Sequence, residues 1–415
     1  MEGGKEEFPV KEGTLPILPS RPGGCCSCGL CASTCPKGAI AMRVGADGFY
    51  RPFVDANLCI GCKACENICS RSPRSRDGGQ LPRHECFAAY CADEETRRAS
   101  SSGGIIALLA RYVVRKGGVV FAVGLQERSR ACYVAVEREE DLPKLRGSIY
   151  LSVDAKGCFN KVAEALKTGR TVLFVGVPCQ VHALRVRFGY RNTNLLVADI
   201  ACFGVPSLLA FDSWLDMLER TRGKQVKRVF FRDKTEGWRA YRMKVEYMDS
   251  TLEVVRHNGF HEMFTNRLCL NEACYSCEKT LDSRLSDWSV GDFWGMRFSP
   301  EEEELGVSSF VCHTEAGKHV LQQLAGEIVL KPVSDEMVVW GNGGMSMRRQ
   351  EMPWQRAHVL EDLKEMPFEE VYMRYLVNGK PRLSVAAFGC RVMLPPLLCK
   401  CVFKLNKIWN RFAGG

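Results

Sequence analysis

Two runs of cysteine dominate the chemistry open to this chain of 415 residues. The first is Cys25-x2-Cys28-x2-Cys31-x3-Cys35, followed by Pro36; the second is Cys59-x2-Cys62-x2-Cys65-x3-Cys69. Three cysteines two residues apart let one loop wrap an iron–sulfur cubane and reach three of its irons. A fourth, three residues further on, begins the next segment and points away toward a neighbouring cluster. The pattern therefore predicts two 4Fe–4S clusters with exchanged fourth ligands. Cys25, Cys28, Cys31 and Cys69 would hold one, and Cys59, Cys62, Cys65 and Cys35 the other. Zinc sites use C-x2-C pairs with a longer gap instead. Pro36 turns the chain after the first run, and Ser70 takes the matching place in the second. Cys26 has no ligand role in this pattern and reads as a spare small thiol.

A further set of thiols lies downstream. TVLFVGVPCQ and NLLVADIACFGVPS each end an apolar, strand-like run with a loop cysteine, Cys179 and Cys202. In one parallel sheet the two would share the C-terminal edge, where open α/β sheets bind ligands. NEACYSCEK adds Cys274-x2-Cys277. From spacing alone two readings stand: a third four-thiolate site, or ordinary buried cysteines. In SSGGIIALL, Ser101, Ser102, Gly103 and Gly104 open an apolar helix. That is either a phosphate-binding turn or a plain serine N-cap. GDFWG, with Gly291 and Asp292, is either the border of a bound group or a tight turn with a packed tryptophan. No Ser–His–Asp or HExxH arrangement accompanies the seven histidines.

The elements that must position these residues fall into an N-terminal module and a larger α/β unit. The two cysteine blocks form an internal repeat over residues 21–72, after a leader at 1–20. This half resembles two-cluster bacterial ferredoxins, which implies their pseudo-twofold (βαβ)-type fold. RSPRSRDGGQLPR is polar and rich in Arg, Gly and Pro, so 73–84 reads as a linker. Beyond it, the strand-like runs GGVVFAVGL, RTVLFVGV and NLLVADIA alternate with the helical patterns GGIIALLARYVVRK, FNKVAEALKTG and SLLAFDSWLDMLERT. Such alternation predicts a parallel or mixed sheet. The expected fold is α+β and α/β: a ferredoxin-like module, then a larger α/β domain over 85–320. An extension over 321–415 completes the chain.

Composition narrows the partners. Hydrophobic residues make up 46%, enough for a large core. Apolar runs stay short of the ~18–20 residues that a membrane span needs. MEGGKEEFPV lacks the apolar region of an export signal. The expected location is therefore cytoplasmic, a compartment where 22 cysteines serve as metal or redox groups rather than disulfides. The formal charge of +9 counts the cysteines as neutral. Three cubanes with thiolate ligands, each about −2, would bring it to roughly +3. Arg and Lys are scattered without interleaved aromatics, so no nucleic-acid partner is expected. In 397–412, Leu398, Cys401, Val402, Leu405, Ile408, Trp409 and Phe412 share one helical face, and Lys400, Lys404, Lys407 and Arg411 line the other. That helix packs on protein or lies on an anionic membrane surface.

Seven motifs in order are similar to those of the family of coenzyme F420 hydrogenase/dehydrogenase beta subunits. They are ASSSGGIIALLA, KLRGSIYLSVD, LFVGVPCQVHALR, ACFGVPS, FFRDKTEGW, ACYSCEK and SDWSVGDFWG. The resemblance implies an FAD flavoprotein with its own 4Fe–4S cluster, held by Cys179, Cys202, Cys274 and Cys277. It implies FAD contacts from Ser101, Ser102, Gly103, Gly104, Ser148, Tyr150, Gly291 and Asp292. The family usually has lysine where this chain has Ile149. A flavin exchanges single electrons with clusters and hydride with an organic molecule. The expected function is therefore an iron–sulfur flavin oxidoreductase. Its expected partners are an electron carrier such as ferredoxin, or a hydrogenase or dehydrogenase subunit, and a small organic substrate or F420-like carrier. Its alternatives are reduction of another small molecule, a pigment or polysaccharide-pathway intermediate, or a non-catalytic electron-transfer subunit.

Overall fold

The computed structural model describes residues 24–69, 84–255, 258–342 and 351–378, together with 16, 71 and 345. Ser70, the helix expected at 397–412 and almost all of the leader and linker lie outside the described residues. The strands described are β1 (Ile40–Val44), β2 (Tyr50–Val54), β3 (Glu85–Cys91), β4 (Val119–Leu125), β5 (Ala131–Val136), β6 (Val172–Gly176) and β7 (Leu195–Ile200). They continue as β8 (Val226–Asp233), β9 (Arg242–Tyr247), β10 (Leu252–Val255), β11 (Trp288–Asp292), β12 (Ser308–Cys312) and β13 (Ile328–Pro332).

Eight of these strands form one mixed sheet in the order β13-β3-β12-β11-β7-β6-β4-β5. The runs read as strands at 117–125, 170–177 and 194–201 become β4, β6 and β7, paired in parallel, and β11 joins β7 in parallel. Antiparallel pairing adds β5 at one edge and β12, β3 and β13 at the other. Continuous apolar runs suit the central strands because both of their faces are covered. Val120, Leu173 and Leu196 face a core shared with Leu108, Leu109 and Val113 of the helix Ile105–Arg115. Val119, Val172 and Leu195 face the opposite side, against Phe159 and Val162 of the helix Lys156–Lys167 and Val181 and Leu184 of Pro178–Phe188.

A second, three-stranded antiparallel sheet, β10-β9-β8, packs on the helix Leu208–Arg222. Phe211, Trp214, Phe231 and Phe260 sit at its centre, each fully buried and each worth about 1.5–3 kcal/mol of transfer free energy. Val359 and Leu363 of the helix Gln355–Glu365, with Phe368 and Val371 beyond it, complete the same core. The division expected at residue 320 therefore coincides with no break in packing. β13 belongs to the main sheet, and 355–372 belongs to this core. The short amphipathic pieces after residue 300 gave too little periodicity to show it.

The cysteine repeat is reproduced in the backbone. Helices Leu30–Thr34 and Ala64–Ile68 occupy matching places in the two blocks. Each is preceded by a left-handed residue, Gly29 (φ 75°) or Lys63 (φ 55°), and two residues earlier by another, Ser27 (φ 59°) or Gly61 (φ 68°). β1 and β2 form the antiparallel pair between the blocks. The β1–β2 turn is seated on the larger unit. Leu208 N donates to Gly48 O at 2.9 Å, and Ser207 Oγ to Asp47 O at 2.7 Å. A Cβ on Gly48 would lie 2.3 Å from Leu209 N, so only glycine fits at this seam. Leu30 is buried in the core formed with Phe159 and Leu184, and Lys156 Nζ donates to Ile40 O at 2.8 Å.

Candidate functional site

The trailing cysteines cross over. Cys35, at the C-terminal end of helix Leu30–Thr34, lines one small pocket with Cys59, Cys62 and Cys65 of the other block. Cys69, at the matching end of Ala64–Ile68, lies near enough to Cys25 and Cys31 to shift their ionisation. The short helix after each triplet carries the fourth thiol out of its own loop. Cys28 is turned into the core beside Leu30 and Phe159, facing Cys26 and Cys179.

The third group forms where the parallel strands end. Cys179 opens the helix after β6, and Cys202 follows β7. Cys274 closes the short turn Glu272–Cys274, and Cys277 N donates to Cys274 O at 3.3 Å. Cys202 is coupled electrostatically to Cys179, Cys274 and Cys277. Cys26, given no role by the spacing, lies here within hydrogen-bonding reach of Cys179. Its position one residue after Cys25 carried no periodic signal that could have revealed this.

The donor sets fit iron–sulfur cubanes in their chemistry. Backbone N–H groups point at the sulfurs: Ser27 N to Cys25 Sγ and Val205 N to Cys274 Sγ, both at 3.4 Å. Such N–H···S bonds tune bound clusters. Burial pushes the thiols of Cys25 and Cys202 up to about 11, and those of Cys31 and Cys274 higher still. Thiolates so placed need a cationic metal core to neutralise them.

A cavity of about 1110 Å³ runs from this third thiol group across the C-terminal edge of the sheet. Cys26, Cys179 and Cys202 line one part, and Ser100, Ser101, Ser102 and Gly104 line another. Ser148, Tyr150, Gly291 and Asp292 also face it. Gly103 lies behind the wall: a Cβ there would meet Ala89 O at 2.6 Å, and its N–H donates to Ser308 Oγ at 3.0 Å. Its role is close packing of the turn on β3 and β12.

The serine turn is held from beneath by Lys234, whose Nζ donates to Arg97 O (2.6 Å), Ser102 O (3.1 Å) and Leu305 O (2.6 Å). Burial, with Arg232 and Arg97 nearby, pushes this amine down to about 7. Ser101 Oγ is buried with no hydrogen-bond partner among the described residues. Gly104 (φ 82°) starts the helix Ile105–Arg115 with no side-chain cap on its first N–H groups. An orphaned hydroxyl beside an uncapped helix start fits a phosphate-bearing cofactor such as FAD.

Asp292 faces the cavity, but its carboxylate is committed elsewhere. It pairs with the buried Arg232 and accepts from Trp238 Nε1 at 2.8 Å. Arg232 lies over the rings of Tyr241 and Trp294, 4.4 and 5.1 Å from their centroids. His261 lines the same cavity, and burial followed by the Arg232 charge lowers it to about 4. It is therefore neutral near pH 7. Sequence reasoning singled out neither His261 nor Lys234, because isolated polar residues show no pattern. Ile149 also lines the cavity, as an apolar wall packed against the second core.

Comparison with known proteins matches two family models. The N-terminal part of the coenzyme F420 hydrogenase/dehydrogenase beta subunit covers residues 86–157, and the C-terminal part covers 169–336. A subunit of the F(420)H(2) dehydrogenase of Methanosarcina mazei is 27% identical over 188 residues, 43% of this chain and 53% of that protein. The coenzyme F420-dependent sulfite reductase of Methanocaldococcus jannaschii is 24% identical over 308 residues, 72% of this chain and 45% of that protein. The chain thus spans about half the length of the curated relatives it matches. A chain of the F420-reducing NiFe hydrogenase complex from Methanosarcina barkeri aligns with 66% of this chain and 97% of its own, at 17% identity and a TM-score of 0.45. The chain belongs to the family of coenzyme F420 hydrogenase/dehydrogenase beta subunits, whose named members are oxidoreductases.

Proposed function

We propose that this protein is an iron–sulfur flavoprotein that passes single electrons through three 4Fe–4S clusters to an FAD, which exchanges hydride with an organic substrate or F420-like carrier. One observation carries the reading. The cavity is lined both by cysteines of the third thiol group and by the serine turn with its orphaned hydroxyl. A cofactor there would touch a cluster on one side and be held by its phosphates on the other.

When bound, the flavin would supply the switch between one-electron and two-electron chemistry. The chain supplies the rest. Cys25, Cys28, Cys31 and Cys69 would hold the first cluster, and Cys59, Cys62, Cys65 and Cys35 the second. Cys179, Cys202, Cys274 and Cys277 would hold the third. Ser101 and the helix start at Gly104 would bind pyrophosphate, and Lys234 fixes their turn. Ser148, Tyr150 and Gly291 would border the cofactor, with neutral His261 as a hydrogen-bonding wall. Phe203, Ile149 and Val290 line the cavity and would give the cofactor an apolar wall. We assign 21–72 as the two-cluster domain and 85–320 as the flavin domain, fed by elements from the extension.

Anaerobic reconstitution tests this directly. About twelve irons and one FAD per chain are expected, with three cluster signals in EPR. Near eight irons and no flavin would remove the flavin half.

Electrons would enter from an acidic carrier such as ferredoxin, or from a hydrogenase or dehydrogenase subunit. The second thiol group is nearest the surface: Leu58 is 51% exposed, Ile60 is 61% exposed, and Lys37 and Lys63 flank them. Ile149 supports a second reading in which the substrate is another small organic molecule, a pigment or polysaccharide-pathway intermediate. Stopped-flow reoxidation of the reduced protein by F420 and by such candidates separates the two. Among the described residues no helix is long and apolar enough to cross a membrane. We place the protein in the cytoplasm. Vesicle co-sedimentation with and without 397–412 tests whether that segment adds peripheral contact.

A further inference from the structure

A mixed cluster of nitrogen, sulfur and oxygen donors lies away from the cavity and the thiol groups, where β3 begins. His84 and Cys86 are two residues apart in extended chain, so both side chains leave the same face. The β13–β3 register runs from Ile328↔Cys91 to Pro332↔Phe87. Val333 N, donating to Cys86 O at 3.0 Å, carries the pairing one step further. Continued past the strand ends, the same register sets Asp335 opposite His84. The side chains meet there, with His84 Nε2 3.0 Å from Asp335 Oδ2. Donor atoms of His84, Cys86 and Asp335 all lie within 4.8 Å of one another.

Their surroundings grade from core to rim. Cys86 is 5% exposed, in a core with Val311 and Val338. The His84 side chain is 15% exposed and that of Asp335 59%. The sulfur is thus fixed by the fold, while the carboxylate has room to turn. Ligand atoms on a tetrahedral zinc stand ~3.3–3.7 Å apart, given bonds of ~2.0–2.3 Å. Rotation of the Asp335 side chain closes the remaining gap of about 1 Å. One nitrogen, one sulfur and one oxygen form a borderline-soft set that suits zinc, whereas magnesium and calcium take oxygen alone. A thiolate and a carboxylate cancel the two charges of the ion.

We propose that His84, Cys86 and Asp335 bind one zinc ion, completed by a water on the open side, which clamps the helix Asp335–Gly341 to the head of β3. That helix carries the effect to the cavity wall. Gly341 packs on Gly295, where a Cβ would lie 2.4 Å from Gly341 Cα, and Asn342 Nδ2 donates to Asp292 O at 2.9 Å. The site asks nothing of the cluster or flavin assignment.

The test is zinc K-edge X-ray absorption with metal analysis on the full chain, purified without oxygen, loaded with Zn²⁺ and dialysed. Wild type is compared with His84→Ala and Cys86→Ala. The zinc edge is separate from that of iron, so bound clusters do not mask it. Wild type is expected to keep about one zinc, with one sulfur at ~2.3 Å and nitrogen or oxygen at ~2.0–2.2 Å. Each variant should bind zinc more weakly by at least the ~10–100-fold that losing an outer hydrogen-bond partner costs a metal site, with iron unchanged. Zn²⁺ should slow amide exchange over 335–341 in wild type and not in His84→Ala, and Mg²⁺ should slow it in neither. His84 lies at the rim, so its variant carries the test if Cys86→Ala fails to fold. No zinc retained, zinc held by sulfur alone as at the cysteine repeat, or equal affinity in His84→Ala would each overturn the proposal.

Discussion

The cysteine-rich segment and the α/β unit solve the stability problem in opposite ways. Within residues 24–69, one small core holds Ala32, Ile40 and Cys65, and both helices are five residues long. The α/β unit has an eight-stranded sheet covered on both faces, with tryptophans at positions 214, 238 and 288 fully buried. So small an apolar core cannot offset the entropy of ordering its own chain. The segment must draw its order from the surface on which it is docked and, on the proposed reading, from metal. The teaching is that burial carries one region while the other leans on docking and, on the proposed reading, on coordination chemistry, and the two meet along a narrow seam.

The largest expected effect breaks this contrast outright. Anaerobic removal of iron with a chelator should abolish hydrogen-exchange protection in β1, β2 and the two short helices. Protection in β6 and β7 should persist. Equal loss in both regions would end the comparison. Next, Arg185→Met should cost the α/β unit about 3–5 kcal/mol. It leaves Asp287 buried without its partner at 2.7 Å, where both side chains are under 5% exposed. Thermal unfolding should register the loss, while iron bound by 24–69 stays constant.

Gly48→Ala should cost about 1–3 kcal/mol by overpacking the seam, read as faster exchange in 24–69 alone. The smallest effect is acidic. Burial lowers His313 to about 3 and His261 to about 4. Both bases bind protons less readily folded than unfolded. Stability is therefore complete above about 6.5 and declines as pH falls from there toward 4. The melting temperature should fall over that window, and His313→Gln should flatten the slope. A parallel slope in the variant would remove His313 from the account.

Much of this was legible from residue order because it is local. The C-x2-C-x2-C-x3-C spacing fixes which thiols share a loop, and apolar runs of strand length marked β4, β6 and β7. The serine turn was visible as residues; its orphaned Ser101 hydroxyl and supporting Lys234 were not, since they depend on chain segments far apart. Gly103 was grouped with the cavity by adjacency, although it packs against Ala89 and Ser308 of neighbouring strands. Cys26 was invisible for the same reason: its neighbour Cys179 arrives from elsewhere in the fold. β13 was too short, and the helix Gln355–Glu365 too weakly patterned, to announce that they belong to the main cores.

The seam has a kinetic consequence. Asp47, Gly48 and Lys156, with Ser27 Oγ accepting from Asn271 Nδ2 at 3.1 Å, fasten the cysteine repeat to the α/β unit at several points, so no encounter step separates them. On the proposed electron path, charge moving between the two halves would obey first-order kinetics, indifferent to dilution. Added salt, which slows collisions between separate carriers by screening their attraction, would leave that internal step untouched.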